Sequence, residues 1–229
     1  MRLCVIPARA GSRRIPGKNI KLFDGKPIIS HVIQKCLDAD IFDQVVVSTD
    51  SEEIACVAIA AGAAVPSLRS KSLSGDTAPT KPVIRDAISN FASTAGAPSS
   101  VCCVYPTSVF VTAEDLRSAS TLLEHLGVEF IISVQKYPHP IERALVMNET
   151  DSLISPKNPE SVLYRTQDCE QCYFDAAQFY WGTTKGWMSN DSAFTAKSAG
   201  WVVKQHIIDI DTPDDFCEAE KIYKAAKEL

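Results

Sequence analysis

At 229 residues the chain is long for one domain and short for two, since a domain takes about 150 residues. Its 45% apolar and 22% charged content is ordinary for a folded protein and excludes disorder, collagen and coiled coil. Lys and Arg number 23 against 28 Asp and Glu, a net charge of −5, so no bulk positive field exists to hold nucleic acid or anionic lipid.

Any polyanionic ligand must therefore meet a local concentration of cations. No apolar run reaches the roughly 18 residues of a membrane span, and Met1 to Pro7 reads as a strand and not as a signal-peptide core. Eight scattered cysteines argue against a disulfide scaffold and for a reducing, cytoplasmic setting. Cys169-Glu170-Gln171-Cys172 has C-x-x-C spacing without a second pair at zinc-finger distance, and reads as structural thiols.

In chain order, Leu3–Pro7 is an apolar strand. Residues 28, 29, 32, 33 and 37 form a helical stripe opened by Pro27. The β-branched run Gln44–Thr49 is a buried strand. Asp50 and Glu53 have capping-box spacing before an Ala-rich helix that ends at Gly62. A loop from Ser67 to Thr80 precedes a helix over 81–92. Val101–Tyr105 is a strand, Thr112 and Asp115 cap a helix to Leu126, and Glu129–Val134 is the next strand.

Regularity then loosens. Prolines stand at 138, 140, 156 and 159, and 161–182 is aromatic and polar without a helical stripe. Strand character returns over 201–205 and 206–211. Thr212-Pro213-Asp214-Asp215 supplies an N-cap, a proline and first-turn acids for a final helix. This alternation predicts an α/β fold: a doubly wound, mostly parallel, Rossmann-like sheet over 1–136 and 183–229, with residues 137–182 as an arm.

Ligands of such sheets bind where strands exit at their carboxyl ends. The first exit, Pro7 to Asn19, holds Arg9, Arg13, Arg14 and Lys18 together with Gly11 and Gly17. Glycines admit close backbone approach and cations neutralise an anion, so the loop suits a phosphate chain. A Walker loop needs four residues between its glycines and Ser or Thr after the lysine. Here five intervene and Asn19 follows; G-x-G-x-x-G is absent as well.

Pro7-Ala8-Arg9-Ala10-Gly11-Ser12, continuing to Pro16-Gly17-Lys18-Asn19, resembles the N-terminal signature of the cytidylyltransferases that activate sialic-acid-like sugars. Val47-Ser48-Thr49-Asp50, Pro106-Thr107-Ser108 and Ile208-Asp209-Ile210-Asp211 are similar to further segments of that family, so the resemblance spans essentially the whole chain. It implies a nucleotidyltransferase that joins CTP to a nine-carbon 2-keto sugar acid, giving a CMP-sugar and pyrophosphate. By the same resemblance Arg9, Ser12, Lys18 and Asn19 hold triphosphate and cytidine, Arg69, Thr80 and Thr107 lie near the nucleotide, and Asp209 and Asp211 carry Mg²⁺. Lys18, Arg9 and Asp211 are the implied catalytic groups. The family is homodimeric, which makes the arm the pairing element. Tyr105 stands where many relatives have glutamine, and Val109-Phe110 where Pro-Leu is common.

The residues support parts of this independently. Asp209 and Asp211, two apart on an expected strand, present both carboxylates to one face, and Mg²⁺ prefers such oxygen ligands. Arg165 suits a sugar carboxylate; Gln167, Asp175 and Gln178 suit hydroxyl and N-acyl groups. Phe179, Tyr180 and Trp181 read as core and interface. The stretch 165–182 resembles the pseudaminic acid branch more than the N-acetylneuraminate branch. The same chemistry on N-acetylneuraminic, legionaminic or Kdo sugars is the near alternative, and a non-catalytic nucleotide-binding module the distant one. His206 reads as a structural histidine, His31 and His125 as helix-surface residues.

Overall fold

The computed structural model describes every residue except 76, 77, 191, 196, 206, 228 and 229. Strand β1 (Arg2–Pro7) is followed by the short ribbon β2 (Leu22–Phe23) and β3 (Lys26–Pro27), helix α1 (Ile28–Asp38), β4 (Gln44–Ser48) and α2 (Glu52–Ala60). Next come α3 (Thr80–Ala95), β5 (Ser100–Val104), α4 (Ala113–Leu126) and β6 (Phe130–Lys136). The arm contributes β7 (Leu145–Met147) and β8 (Ile154–Pro156). The chain closes with β9 (Tyr173–Thr183), α5 (Thr184–Met188), β10 (Ser198–Val202) and α6 (Pro213–Lys227).

Six strands form one sheet in the order β10-β6-β9-β5-β1-β4. All pairs are parallel except those of β9, which runs antiparallel between β5 and β6. The apolar runs of β1, β4 and β5 are buried on both faces because helices cover both. One face packs Ile6, Ile29, Val32, Val104, Leu116 and Trp181 together; the other packs Val5, Ile84, Ile88, Phe91, Phe130 and Tyr180. Gly182 lets the second layer close: a Cβ there would stand 2.6 Å from the Phe130 ring and from the Trp187 indole nitrogen. No helix among the described residues is long and apolar enough to cross a membrane.

The doubly wound expectation holds, with differences. Tyr173–Thr183 belongs to the central sheet, so the excursion outside it covers only 137–172; the aromatic run 179–181 pairs as a strand because it can bury both faces. Residues 207–211 form no strand, having no ladder partner along the sheet edge. Helix α2 is capped by Ser51, whose Oγ accepts from Ile54, and not by Asp50. Thr112 and Asp115 do form a full capping box on α4. Thr212 caps α6, accepting from the Asp215 amide. His31 is buried, its Nε2 against the Phe23 carbonyl at 2.7 Å and its ring beside Tyr223, so it is no surface residue. His206 lies outside the described residues.

Candidate active site

The carboxyl edge of the sheet opens into a cleft of about 650 Å³. Its walls come from the loop after β1, Arg69, Thr80 at the start of α3, residues 105–107 after β5, the beginning of β9, and Asp209 and Asp211. Because β9 runs against its neighbours, its first residues and not its last ones reach this edge.

The loop after β1 is held by its surroundings. Gly17 takes a left-handed conformation (φ 64°) and turns the chain into a 3-10 turn, Lys18–Ile20. Buried Asn19 donates its side-chain amide to the Arg9 carbonyl at 2.9 Å, which closes the loop on itself. Asp50, at the exit of β4, accepts from the Ala10 amide at 2.9 Å. Arg9 reaches across to the Gly75 carbonyl at 3.1 Å. Arg9, Ser12, Arg13, Arg14, Lys18 and Asn19 all line the cleft.

Opposite them, Lys18 donates to the Ile210 carbonyl at 2.6 Å and stands 3.7 Å from Asp211, which also takes Arg14 at 2.6 Å. Burial lowers the pKa of Lys18, and the charges of Asp211 and Asp209 oppose that drop. Asp209 is pushed above the usual carboxylate range by partial desolvation and then by the like charge of Asp211. It makes no hydrogen bond or salt bridge among the described residues. Lys18 and Arg14 oppose that rise without bonding to the carboxylate, and with Asp211 it offers the hard oxygen donors a divalent cation takes. The two acids meet at the cleft although 207–211 is irregular; the loop after β1 and α6 position them in place of a strand.

Arg69 is buried, its Nε has no hydrogen-bond partner among the described residues, and burial lowers its pKa despite the charge of Asp50. A buried guanidinium with a free donor at the cleft wall is a natural anchor for an incoming anion. Thr80 and the Tyr105 hydroxyl are 3.1 Å apart, and burial pushes the Tyr105 phenol up to about 12. Thr107 also faces the cleft.

On β9 the pairing slips between Val134, opposite Asp175, and Ile132, opposite Tyr180. Ala177 bulges with φ 49°, and the Ser133 hydroxyl accepts from the amides of both Gln178 and Phe179. The bulge moves the side-chain alternation by one residue, so Asp175, Ala177 and Tyr180 share the cleft while Ala176, Phe179 and Trp181 share the core. Tyr180 is thus both a core residue, as expected, and a cleft residue, and its hydroxyl donates to Asp175. Gln178 is buried beneath the site, donating to the Ala176 carbonyl, and does not line the cleft.

Arg165 and Gln167 are exposed on the arm, away from the cleft of their own chain. Arg165 grips Asp168 through Nε at 2.7 Å and Nη2 at 3.2 Å. Cys169 and Cys172 are free thiols, as are the other six cysteines. Sequence reasoning missed Tyr180 for want of any signal of the bulge. Arg13 and Arg14 were visible as part of the cationic loop, without roles of their own.

A cationic loop facing paired carboxylates across a strand-exit cleft suits transfer of a nucleotidyl group. The family model described as Cytidylyltransferase matches residues 3–222. The chain belongs to the cytidylyltransferase family. It is 38% identical over 229 residues to the pseudaminic acid cytidylyltransferase of Campylobacter jejuni subsp. jejuni serotype O:2, covering 99% of this chain and 97% of that protein. To the CMP-N,N'-diacetyllegionaminic acid synthase of Legionella pneumophila it is 33% identical over the same coverage. Among solved structures, a CMP:2-keto-3-deoxy-manno-octonic acid synthetase complexed with CTP superposes with a TM-score of 0.71 at 16% identity, covering 100% of this cytidylyltransferase and 99% of that chain. The 4-diphosphocytidyl-2C-methyl-D-erythritol synthase of Anaerococcus prevotii does so at 0.59 and 12%, covering 97% and 98%. These last two speak for the fold alone.

Proposed function

We propose that this cytidylyltransferase activates pseudaminic acid. The anomeric hydroxyl of this nine-carbon 2-keto sugar acid attacks the α-phosphorus of CTP. The bond from that phosphorus to the β-phosphate bridge breaks, pyrophosphate leaves with the electron pair, and the hydroxyl proton passes to solvent. The observation that carries the reading is the meeting of the 9–18 cations with Asp209 and Asp211 in one cleft, in a chain that matches pseudaminic acid cytidylyltransferases end to end at 37–38% identity.

Each residue has a task in this reading. Arg9, Lys18 and Arg69 neutralise the triphosphate, and their fixed positions lower the cost of gathering charge in the transition state. Ser12, Asn19, Thr80 and Thr107 shape the nucleotide's bed, Asn19 by holding the Arg9 carbonyl. Asp209 and Asp211 would hold Mg²⁺ with phosphate oxygens and water, and the cleft has neither histidine nor cysteine among its lining residues to favour a softer metal. When bound, the ion adds positive charge where pyrophosphate departs. Asp175, held by Tyr180, faces the sugar, and Arg165 and Gln167 serve the sugar from the arm.

The arm's reach requires a second copy. Leu145, Val146, Met147, Leu153, Ile154 and Leu163 stand 52–89% exposed on and around β7 and β8, an apolar surface unsuited to water and continuous with Arg165. A homodimer that covers this surface brings Arg165 and Gln167 to the partner's cleft.

Pyrophosphate release is to be measured with CTP, Mg²⁺ and a panel of pseudaminic, N,N'-diacetyllegionaminic, N-acetylneuraminic and Kdo acids. The highest kcat/KM is expected with pseudaminic acid. A preference for the legionaminic compound would favour the second reading, which the 33% relative supports. Release with N-acetylneuraminate alone would overturn both.

A further inference from the structure

We infer that Lys35, on α1 behind the cleft, is a positioning residue for the nucleotide: its ammonium fixes the loop that carries Thr107. This rests on reading Thr107 as a nucleotide contact.

The loop 105–111 leaves β5 and places Tyr105, Pro106 and Thr107 in the cleft. Its front is tied to β9: the Tyr105 amide and the Ser108 hydroxyl both donate to the Gln178 carbonyl, at 3.1 and 2.8 Å. Internal turns bond Ser108 to Tyr105, Val109 to Thr107 and Val111 to Ser108 through the backbone. The carbonyls of Val109 and Val111, beneath side chains that are 0% and 1% exposed, then point away from the cleft. Lys35 takes both, its Nζ donating at 2.5 Å and 3.0 Å. Bonds from an ammonium are stronger than neutral ones, and a half-buried charge is expensive to keep unless it serves such a purpose.

The back of Lys35 opens on a second cavity of about 590 Å³, lined also by Lys26, His31, Asp38 and Tyr223, which gives the amine a path for proton exchange. The groups facing it are Lys227 and Tyr223 from α6, Asp115 from α4, and Cys36 on its own helix; α2 and its C-cap present Val57, Ala60 and Ala61 to this cavity. Burial, then Lys227, pushes the ammonium down to about 8, while Asp115 and the two carbonyls favour the charged form. Loss of that proton leaves an amine that grips the carbonyls less firmly, so loop order declines as pH rises.

The test is steady-state CTP kinetics at saturating sugar acid for the wild type, K35M, K35R, K26M and T107V, with thermal melts beside them. K35M is expected to raise KM for CTP roughly tenfold, the scale of a charged hydrogen bond, with kcat within about twofold. K35R should recover part of the loss. K26M removes a cation from the same cavity without touching the loop and should behave as wild type. The ratio of the K35M to the wild-type KM should fall as pH is taken from 7 to 10. An unchanged KM in K35M while T107V is impaired, or a KM ratio constant with pH, overturns the proposal. A normal KM in T107V overturns the reading of Thr107 on which it rests.

Discussion

The nucleotide cleft and the arm are built on opposite plans. At the nucleotide end, groups distant in sequence are stapled within one chain: Arg14 to Asp211, Lys18 to Ile210, Ala10 to Asp50, Asn19 to Arg9. At the arm, Arg165 is tied among the described residues to its local neighbours Asp168 and Cys169, and apolar side chains face outward. On the proposed reading, nucleotide handling is preorganised in a single copy, whereas the arm would contribute to the sugar only in a dimer. The difference teaches that activity and sugar choice can fail separately.

Experiments can break or sharpen that contrast. The largest effect is expected for Asp211→Ala, which should lower kcat by roughly 10³-fold, since it removes an oxygen donor from the proposed Mg²⁺ site and unpairs Arg14 and Lys18. Its melting temperature should hold, and near-normal pyrophosphate release would remove the metal role. Chelation by EDTA should match that loss and be reversed by excess Mg²⁺.

Next, Leu163→Asp combined with Met147→Asp should shift sedimentation toward a single copy. Turnover should fall by roughly 10²-fold while the thermal shift on adding CTP persists. A fully active single copy would end the division of labour. Arg165→Ala should raise the sugar KM about tenfold and leave the CTP KM alone, as removal of one charged hydrogen-bonding partner does; an effect on CTP instead would place Arg165 at the other end. Smallest is Thr112→Ala, which breaks the α4 capping box at a residue that does not line the cleft. It should cost about 1 kcal/mol, a drop in melting temperature of about 2–4 °C, without altering kinetics.

What could be read in advance divides along physical lines. The helix periodicities, the strands before residue 137, the Thr112 and Thr212 caps, and the cations after β1 are local in the chain, and the structure agrees with them; the strand expected over 201–205 lies instead over Ser198–Val202. The direction of β9 and its bulge are not local. They depend on a two-sided apolar environment and on the Ser133 hydroxyl of another strand, so the cleft-facing side of Tyr180 went unseen and Gln178 looked like a contact. The run Ile207–Asp211 has strand composition but finds no partner edge, and the acids reach the cleft all the same. Asp50 looked like a cap because its spacing to Glu53 is right, yet the neighbouring loop claims its carboxylate. His31 looked like a surface residue because the packing of α6 against it is invisible from α1 alone.

The arm departs and returns at one point. Lys136 pairs with Tyr173 across β6 and β9, and the Tyr137 amide donates to the Cys172 carbonyl at 3.0 Å. Everything between is, in topological terms, the oversized tip of a hairpin. Loop-closure entropy grows only slowly with length, by about 0.6 kcal/mol per doubling, so the sheet is indifferent to how much chain hangs there. The arm is therefore a graftable cassette. Replacing residues 138–171 with a short turn should leave a folded, CTP-binding core, and transplanting a relative's segment should carry that relative's sugar preference with it.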